Sequence, residues 1–252
     1  MVILSVNINK IALIRNSREG NNPDLVSYAR RCIELGAQGI TVHPRPDQRH
    51  IRANDIAPLA ALCTEFPSIE YNIEGNPNAE ALGSYPGFLE LVRQVKPDQV
   101  TLVPDSDDQL TSDHGFDLSG DNSLLEKQIA FCQELGCRVS LFMDADEEQI
   151  RQVPSTGADR IEFYTGPFAD AYNRSEQEAK DSFLQYSKCA QLAHSLGLGI
   201  NAGHDLNLDN MALFKALPEL SEVSIGHALT IESLDMGLAN TLTRYRALLA
   251  DA

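Results

Sequence analysis

Short runs rich in Val, Ile, Tyr and Phe alternate with longer amphipathic stretches along the whole chain. The runs fall at residues 2–8, 39–43, 69–73, 99–103, 138–143, 160–164, 199–202 and 222–225. Each is short and nearly continuous in apolarity, the pattern of parallel strands that helices cover on the outside. Between them, Leu25, Tyr28, Ala29, Cys32 and Ile33 share one helical face. So do Leu125, Ile129, Cys132 and Leu135, and again Leu234, Leu238, Leu242, Tyr245 and Leu249. Asn22-Pro23 reads as a capping residue before a first-turn proline. Leu35-Gly36, Leu135-Gly136 and Leu196-Gly197 each precede a strand, where glycine supplies a left-handed helix stop.

Eight strand–helix units in 252 residues predict a single-domain (β/α)8 TIM barrel spanning residues 1–252. A doubly wound open sheet is the rival, with fewer strands expected. No low-complexity linker divides the chain. Two connections, residues 104–121 and 166–175, are long enough to be candidate lids.

Composition narrows the function. The chain is 43% hydrophobic and 22% charged, with a formal net charge of -16, which excludes a dedicated nucleic-acid binder. No apolar run is long enough for a membrane span, and the N-terminal segment lacks the basic start of a signal peptide. Five cysteines, of which only Cys132 and Cys137 are close, fit no zinc pattern. They read as buried thiols in a reducing, cytoplasmic compartment. The charge is uneven. Residues 1–52 hold eight Lys and Arg against four acids, whereas the other 200 hold 12 against 32. A local basic cluster in an acidic protein points to a small anionic ligand.

In such barrels the reacting groups gather at the C-terminal strand ends. The first two ends offer Asn7, Lys10, Arg15 and Arg18, then His43, Arg45, Arg49 and His50. The third strand carries Glu70 and ends at Glu74-Gly75. Thr111 follows the fourth, Glu162 lies in the sixth, Gly203, His204 and Asp205 end the seventh, and Gly226-His227 end the eighth. Four of six histidines thus converge on one rim, leaving His114 and His194 outside it. Glu70 alternates with Ile69 and Tyr71, so it faces the barrel interior, where desolvation suits a general base or acid. Gly203 and Gly226 stand where barrels hold phosphate on backbone N–H groups. With the basic cluster, that makes two anion sites, for two phosphorylated substrates or one bisphosphate. Asn7-Ile8-Asn9 replaces the His pair a barrel metallohydrolase would place there, so no catalytic metal is expected.

The segments NINKIALIRNSR, GITVHPRPDQRHI, VSLFMDADEEQI, INAGHDL and SIGHAL, spread from the first strand to the last, resemble the pyridoxine 5′-phosphate synthase family. The resemblance implies a metal-free (β/α)8 barrel with no cofactor, assembled as a homo-octamer from dimers. It implies condensation of 3-amino-2-oxopropyl phosphate with 1-deoxy-D-xylulose 5-phosphate, releasing phosphate and water. His43 and Glu70 match the family's proton acceptors and His204 its proton donor. Asn7 and Arg18 match contacts to the aminoketone phosphate; Arg45, His50 and Thr111 match the pentulose phosphate side; Gly226 and His227 match the phosphate contacts after the last strand. In this chemistry the substrate amine attacks a ketone, and dehydration, phosphate loss and ring closure require acid and base groups on both sides of the growing ring.

The chain departs from the family pattern in three places. Lys10 replaces a His, and is assigned to phosphate or carbonyl contact. Asp205 stands where a Gly is common, so only its backbone N–H carries over. Ile231-Glu232 replaces a Gly-Arg, leaving one cation missing. The competing readings are a sugar-phosphate isomerase or aldolase on the same barrel and a non-catalytic phosphometabolite-binding protein. A Schiff-base aldolase needs an interior Lys, and none of the eight strands contains one. The density of titratable groups at the rim argues against binding alone.

Overall fold

The computed structural model describes residues 2–106 and 109–250. The part of the fourth connection at residues 107–108 and the two chain ends therefore lie outside the described residues. β1 (Ile3–Asn7) leads into α1 (Asn9–Asn16) and α2 (Leu25–Glu34), then β2 (Gly39–Val42) and α3 (Ala53–Thr64). β3 (Glu70–Gly75), α4 (Phe88–Val95), β4 (Gln99–Leu102), α5 (Ser123–Glu134) and β5 (Arg138–Met143) follow. Two single-turn helices, α6 (Glu147–Ile150) and α7 (Val153–Thr156), precede β6 (Arg160–Tyr164). α8 (Gly166–Arg174), α9 (Glu176–Ser195), β7 (Gly199–Gly203), the short α10 (Met211–Phe214), β8 (Leu220–Ile225), α11 (His227–Met236) and α12 (Leu238–Ala250) complete the order. The strands close in sequence order into an all-parallel barrel, β8 pairing with β1. None of the described helices is long and apolar enough to cross a membrane.

The helix signals resolve locally. α2 buries Leu25, Ala29, Cys32 and Ile33, the face its periodicity gives. Its cap is Asp24, whose carboxylate accepts the Ser27 N–H, rather than Asn22. Gly36, Gly136 and Gly197 all take positive φ (+100°, +91° and +83°), which a Cβ would resist. The connection at 166–175, expected as an open loop, is helix α8. Phe168 of α8 packs on Phe214 and Tyr186, with ring centroids 4.9 and 6.3 Å away, and this aromatic cluster holds α8 to α9 and α10. All five cysteines are free and buried.

The strands are less uniformly apolar than expected. One set of alternate residues (Leu4, Val6, Ile40, Val42, Tyr71, Ile73, Val100, Leu102, Val139, Leu141, Ile161, Phe163) belongs to the apolar core shared with the helices. The other set faces the barrel axis and is polar. Ser5 bonds Thr41 at 2.7 Å, and Thr101 donates to Asn72 at 3.2 Å and to Glu162 at 3.3 Å. Lower down, Glu222 accepts from Gln99 and Asn201 at 3.2 Å each, with Arg160 3.9 Å away.

A carboxylate in such a place holds its proton. Burial, then the neighbouring Glu70, raise Glu222 from 4.5 to about 7. A raised acid stabilises the fold fully below its unfolded pKa and loses that contribution as pH rises through the folded value. Glu222→Gln removes this dependence. Its stability relative to the parent, measured by denaturant melts, is expected to grow between about pH 4.5 and about pH 7 and then level off.

Candidate active site

The C-terminal rim is built outward from β1. The Asn7 side chain accepts the Asn9 N–H at 3.0 Å, and the Asn9 side chain accepts the His43 N–H at 2.9 Å. β1 thus positions the residue that ends β2. The His43 ring lies between two acids, with Nδ1 3.8 Å from Glu74 and Nε2 3.3 Å from Asp105. Asn7 Nδ2 also donates to Glu74, at 3.3 Å. Asp105, just past β4, receives an Arg45 guanidinium N–H and the Ser112 hydroxyl, the latter at 3.1 Å.

Electrostatics follow from this burial. Dehydration, followed by the charges of Arg45 and His50, pushes His43 well below its usual range. Burial and the carboxylates of Glu162 and Asp105 push Glu74 well up. Glu162 is raised to about 8 by burial and by Glu222. The pair at the rim is therefore a neutral imidazole beside a carboxylic acid that keeps its proton.

Glu70 requires a correction. Its interior direction is as expected, but it opens β3 at the opposite end of the barrel, paired with Arg138 at 2.6 Å. Four residues of strand, about 13 Å, separate it from the level of Glu74. The acid beside His43 is Glu74. Glu70, Asn72 and Glu74 share one face by the two-residue period, so alternation gave the face and left the height open.

His204 faces the same rim from the end of β7. Its Nε2 lies 2.8 Å from the Thr111 hydroxyl, its Nδ1 lies 2.9 Å from Asp205, and its ring meets Tyr164 edge-on at 5.1 Å. It is near enough to His43 for its charge to oppose protonation there. Lys10, on the first turn of α1, reaches both His50 and Asp205 electrostatically, as His227 reaches Asp205. The two family departures Lys10 and Asp205 are therefore neighbours of opposite charge. Gly226 caps α11, and a Cβ there would stand 3.1 Å from Asn7, so glycine keeps this helix N-terminus open to the rim.

Several expected contacts resolve differently. Arg18 lies exposed beyond α1, and no side-chain hydrogen bond or ion pair joins it to the other described site residues. Arg15 is buried in a two-pronged pair with Asp55 at 2.6 and 2.9 Å, so it serves structure. His50 accepts the Ile51 N–H on Nδ1 at 2.9 Å, and burial, with Arg45, lowers it to about 3. Glu232, in place of the family cation, accepts the Leu208 N–H at 2.9 Å and the Tyr245 hydroxyl at 2.6 Å, tying the loop after β7 to α11 and α12. Asp105 escaped sequence reasoning, although an acid two residues past a strand end was a visible signal. Among the described residues, no group of three or more His, Cys, Asp or Glu could hold a metal ion.

The closed parallel barrel, with buried acids and imidazoles gathered at its C-terminal rim, is that of a (β/α)8 barrel protein. Residues 4–251 match the family described as pyridoxal phosphate biosynthesis protein PdxJ. The pyridoxine 5′-phosphate synthase of Xanthomonas campestris pv. campestris is 55% identical over 248 residues, covering 98% of this chain and 96% of that protein. That of Xylella fastidiosa is 49% identical over 243 residues, covering 96% and 92%. Among solved structures, 3-hexulose-6-phosphate synthase from Salmonella typhimurium is similar in fold, with a TM-score of 0.64, 15% identity and 99% of each chain covered. The chain belongs to the PdxJ family of pyridoxine 5′-phosphate synthases, enzymes of vitamin B6 biosynthesis.

The Glu74 assignment has a direct test. Glu74→Gln is expected to lower kcat by about 10²–10⁴-fold, the usual worth of a positioned acid or base. Glu70→Gln is expected to leave kcat within about threefold and to lower the melting temperature, because it strands Arg138. Steady-state kinetics and thermal melts of both variants check this pair of outcomes.

Proposed function

We propose that the rim condenses 3-amino-2-oxopropyl phosphate with 1-deoxy-D-xylulose 5-phosphate, releasing phosphate and water. The single observation that carries this reading is the His43 ring held between Glu74 and Asp105, with His204 facing it across the opening. Ring closure needs proton acceptors on one side of the growing ring and a donor on the other, and these groups supply both.

His43, neutral because it is buried, takes a proton as the substrate amine adds to the ketone. Glu74, a carboxylic acid at the outset, gives its own proton to the hydroxyl that leaves as water from the carbinolamine, and the proton held by His43 then replaces it. His204 delivers a proton to a departing oxygen from the opposite side. Gly226 and the first N–H groups of α11, with His227, hold one phosphate. Arg45, His50 and Thr111 face the pentulose phosphate, and Arg45 exchanges Asp105 for that anion. Asn7 orients the aminoketone, and Arg18 is a cation on the same side of the barrel for its phosphate. Lys10 serves a phosphate or carbonyl oxygen as a fixed charge. The aldolase reading gains nothing, since no strand carries a Lys.

The oligomer belongs to the same reading. α1 and α11 pack together, and Leu13 and Ile14 on the one, with Ile231 and Leu234 on the other, remain exposed. This apolar surface supports assembly of the chain with copies of itself, up to the homo-octamer built from dimers that the family resemblance implies. Ile14→Asp with Leu234→Asp is expected to lower the mass measured by light scattering. An unchanged mass excludes this surface as a contact.

The activity is tested by mixing the purified chain with both phosphates and following pyridoxine 5′-phosphate and inorganic phosphate together. Equal amounts of the two products are expected, and none when either substrate is omitted. Folded protein that makes neither product overturns the reading.

A further inference from the structure

We propose that Asp205 is a positioning residue that fixes His204 in one tautomer, with the proton on Nδ1 and the lone pair of Nε2 turned into the site. The contribution to catalysis rests on the function proposed above, whereas the tautomer itself does not. The resemblance assigns nothing to this side chain, because the family commonly has glycine there.

Donors and acceptors around the ring fix the position of its proton. His204 Nδ1 lies 2.9 Å from a carboxylate oxygen of Asp205. The hydrogen bond from His204, and then the charges of His204, His227 and Lys10, hold Asp205 below the usual carboxylate range. An ionised carboxylate can only accept, so Nδ1 must carry the proton. In the neutral ring, Nε2 is then an acceptor, and the Thr111 hydroxyl, 2.8 Å away, donates to it. One carboxylate thus sets the direction of two hydrogen bonds.

Among the described residues, Asp205 is the hydrogen-bond partner of Nδ1 and Thr111 that of Nε2. Tyr164 of β6 meets it edge-on, with Asp113 of the β4 connection in electrostatic reach of that tyrosine. Lys10 of α1, His227 of α11 and His43 at the end of β2 are the titratable or charged groups turned toward the pair. The turn that carries it is held by other groups. Thr165 donates to the carbonyls of Gly203 and His204, and Asn210 donates to the carbonyl of Asp205 at 3.0 Å. Both His204 and Asp205 lie in the left-handed region, at φ +80° and +57°. Such a backbone is strained for most side chains and persists where surrounding structure holds it.

The tautomer changes how His204 works. A neutral ring of this kind has no proton at Nε2 to give. It first exchanges the Thr111 hydrogen bond for one from the substrate amine or carbon, accepts that proton at Nε2, and becomes an imidazolium paired with the Asp205 carboxylate. It then releases the same proton to the departing oxygen, which leaves as water, and the ring returns to neutral. His204 is thus an acceptor before it is a donor, and the substrate supplies both the proton and the hydroxyl.

Glycine at 205 suits the positive φ and leaves the backbone bonds of the turn in place, so Asp205→Gly is a clean probe. Magic-angle-spinning 15N spectra of full-length protein labelled at histidine read the tautomer directly, with His204→Gln identifying the signal. The wild type is expected in the Nδ1–H form, and Asp205→Gly with a large Nε2–H fraction. Asp205→Asn retains a carbonyl acceptor and is expected to keep the Nδ1–H form. In kinetics, Asp205→Gly is expected to lower kcat by about 10–100-fold with KM within a few-fold, and Asp205→Asn to recover part of the loss. The same tautomer in wild type and Asp205→Gly overturns the proposal whatever the kinetics. A tautomer change in proteins that make no pyridoxine 5′-phosphate upholds the pairing and overturns the functional reading instead.

Discussion

Carboxylic acids inside the barrel are the constraint on which this protein depends. A carboxylate drawn out of water must meet a cation or keep its proton. The chain uses both, pairing Glu70 with a cation and leaving Glu222, Glu162 and Glu74 raised toward their protonated forms. At the N-terminal end, Glu70 meets Arg138, and Glu222 has Arg160 and two amides around it. At the C-terminal end, Glu74 has the Asn7 amide, the Ser224 hydroxyl and His43 around it, with the carboxyl groups of Glu162 and Asp105 in electrostatic reach. The rim's buried guanidinium, Arg45, goes to Asp105 instead. Leaving Glu74 without a cation gives the rim an acid with a proton to give, which is what repeated dehydration and ring closure call for.

Mobile protons are useful only where the atoms around them hold still. The segment between β2 and α3 carries His43, Arg45 and His50, yet it has no regular structure of its own. It is held from α1. Asn16 donates to the carbonyls of Arg49 and His50 at 3.0 and 2.8 Å, and buried Arg15 binds both Asp55 and the His50 carbonyl. One residue of the basic N-terminal cluster, Arg15, thus serves as a strut beside Asn16, and a second, Arg49, pairs with Asp47 and with the carbonyls of Gln109 and Leu110. A buried guanidinium suits this work because its fixed fork satisfies several acceptors at once.

The barrel was legible in the sequence because its signals are local. Apolar runs, amphipathic faces and Leu-Gly stops depend on neighbours a few residues apart, and three of those glycines take the left-handed φ they imply. The placement of His43, His204 and His227 was legible for the same reason, since each stands within two residues of a strand end, whereas His50 lies farther along the β2–α3 connection. Height along a strand was not. Glu70 and Glu74 obey one alternation, and only the register of β3 against β2 and β4 tells which stands at the rim. Partners distant in sequence were equally hidden: Arg15 looks like an anion ligand until Asp55, forty residues on, claims it. The polar lining of the barrel also blurred the reading of the strands, because their apolar set belongs to the outer layer alone.

The same reasoning reshapes what a basic cluster means. Its net charge suggested free cations for anionic substrates, but Arg15, Arg30, Arg45 and Arg49 are each paired with an acid. An anion that recruits Arg45 must take it from Asp105, and a buried Asp105 without its guanidinium has burial acting against its charge and His43 3.3 Å away. Losing the arginine therefore raises the proton affinity of the Asp105–His43–Glu74 array at the moment substrate binds. On the proposed function, phosphate binding and proton loading would be one event, because the cation that neutralises the substrate would be the one that had been neutralising Asp105.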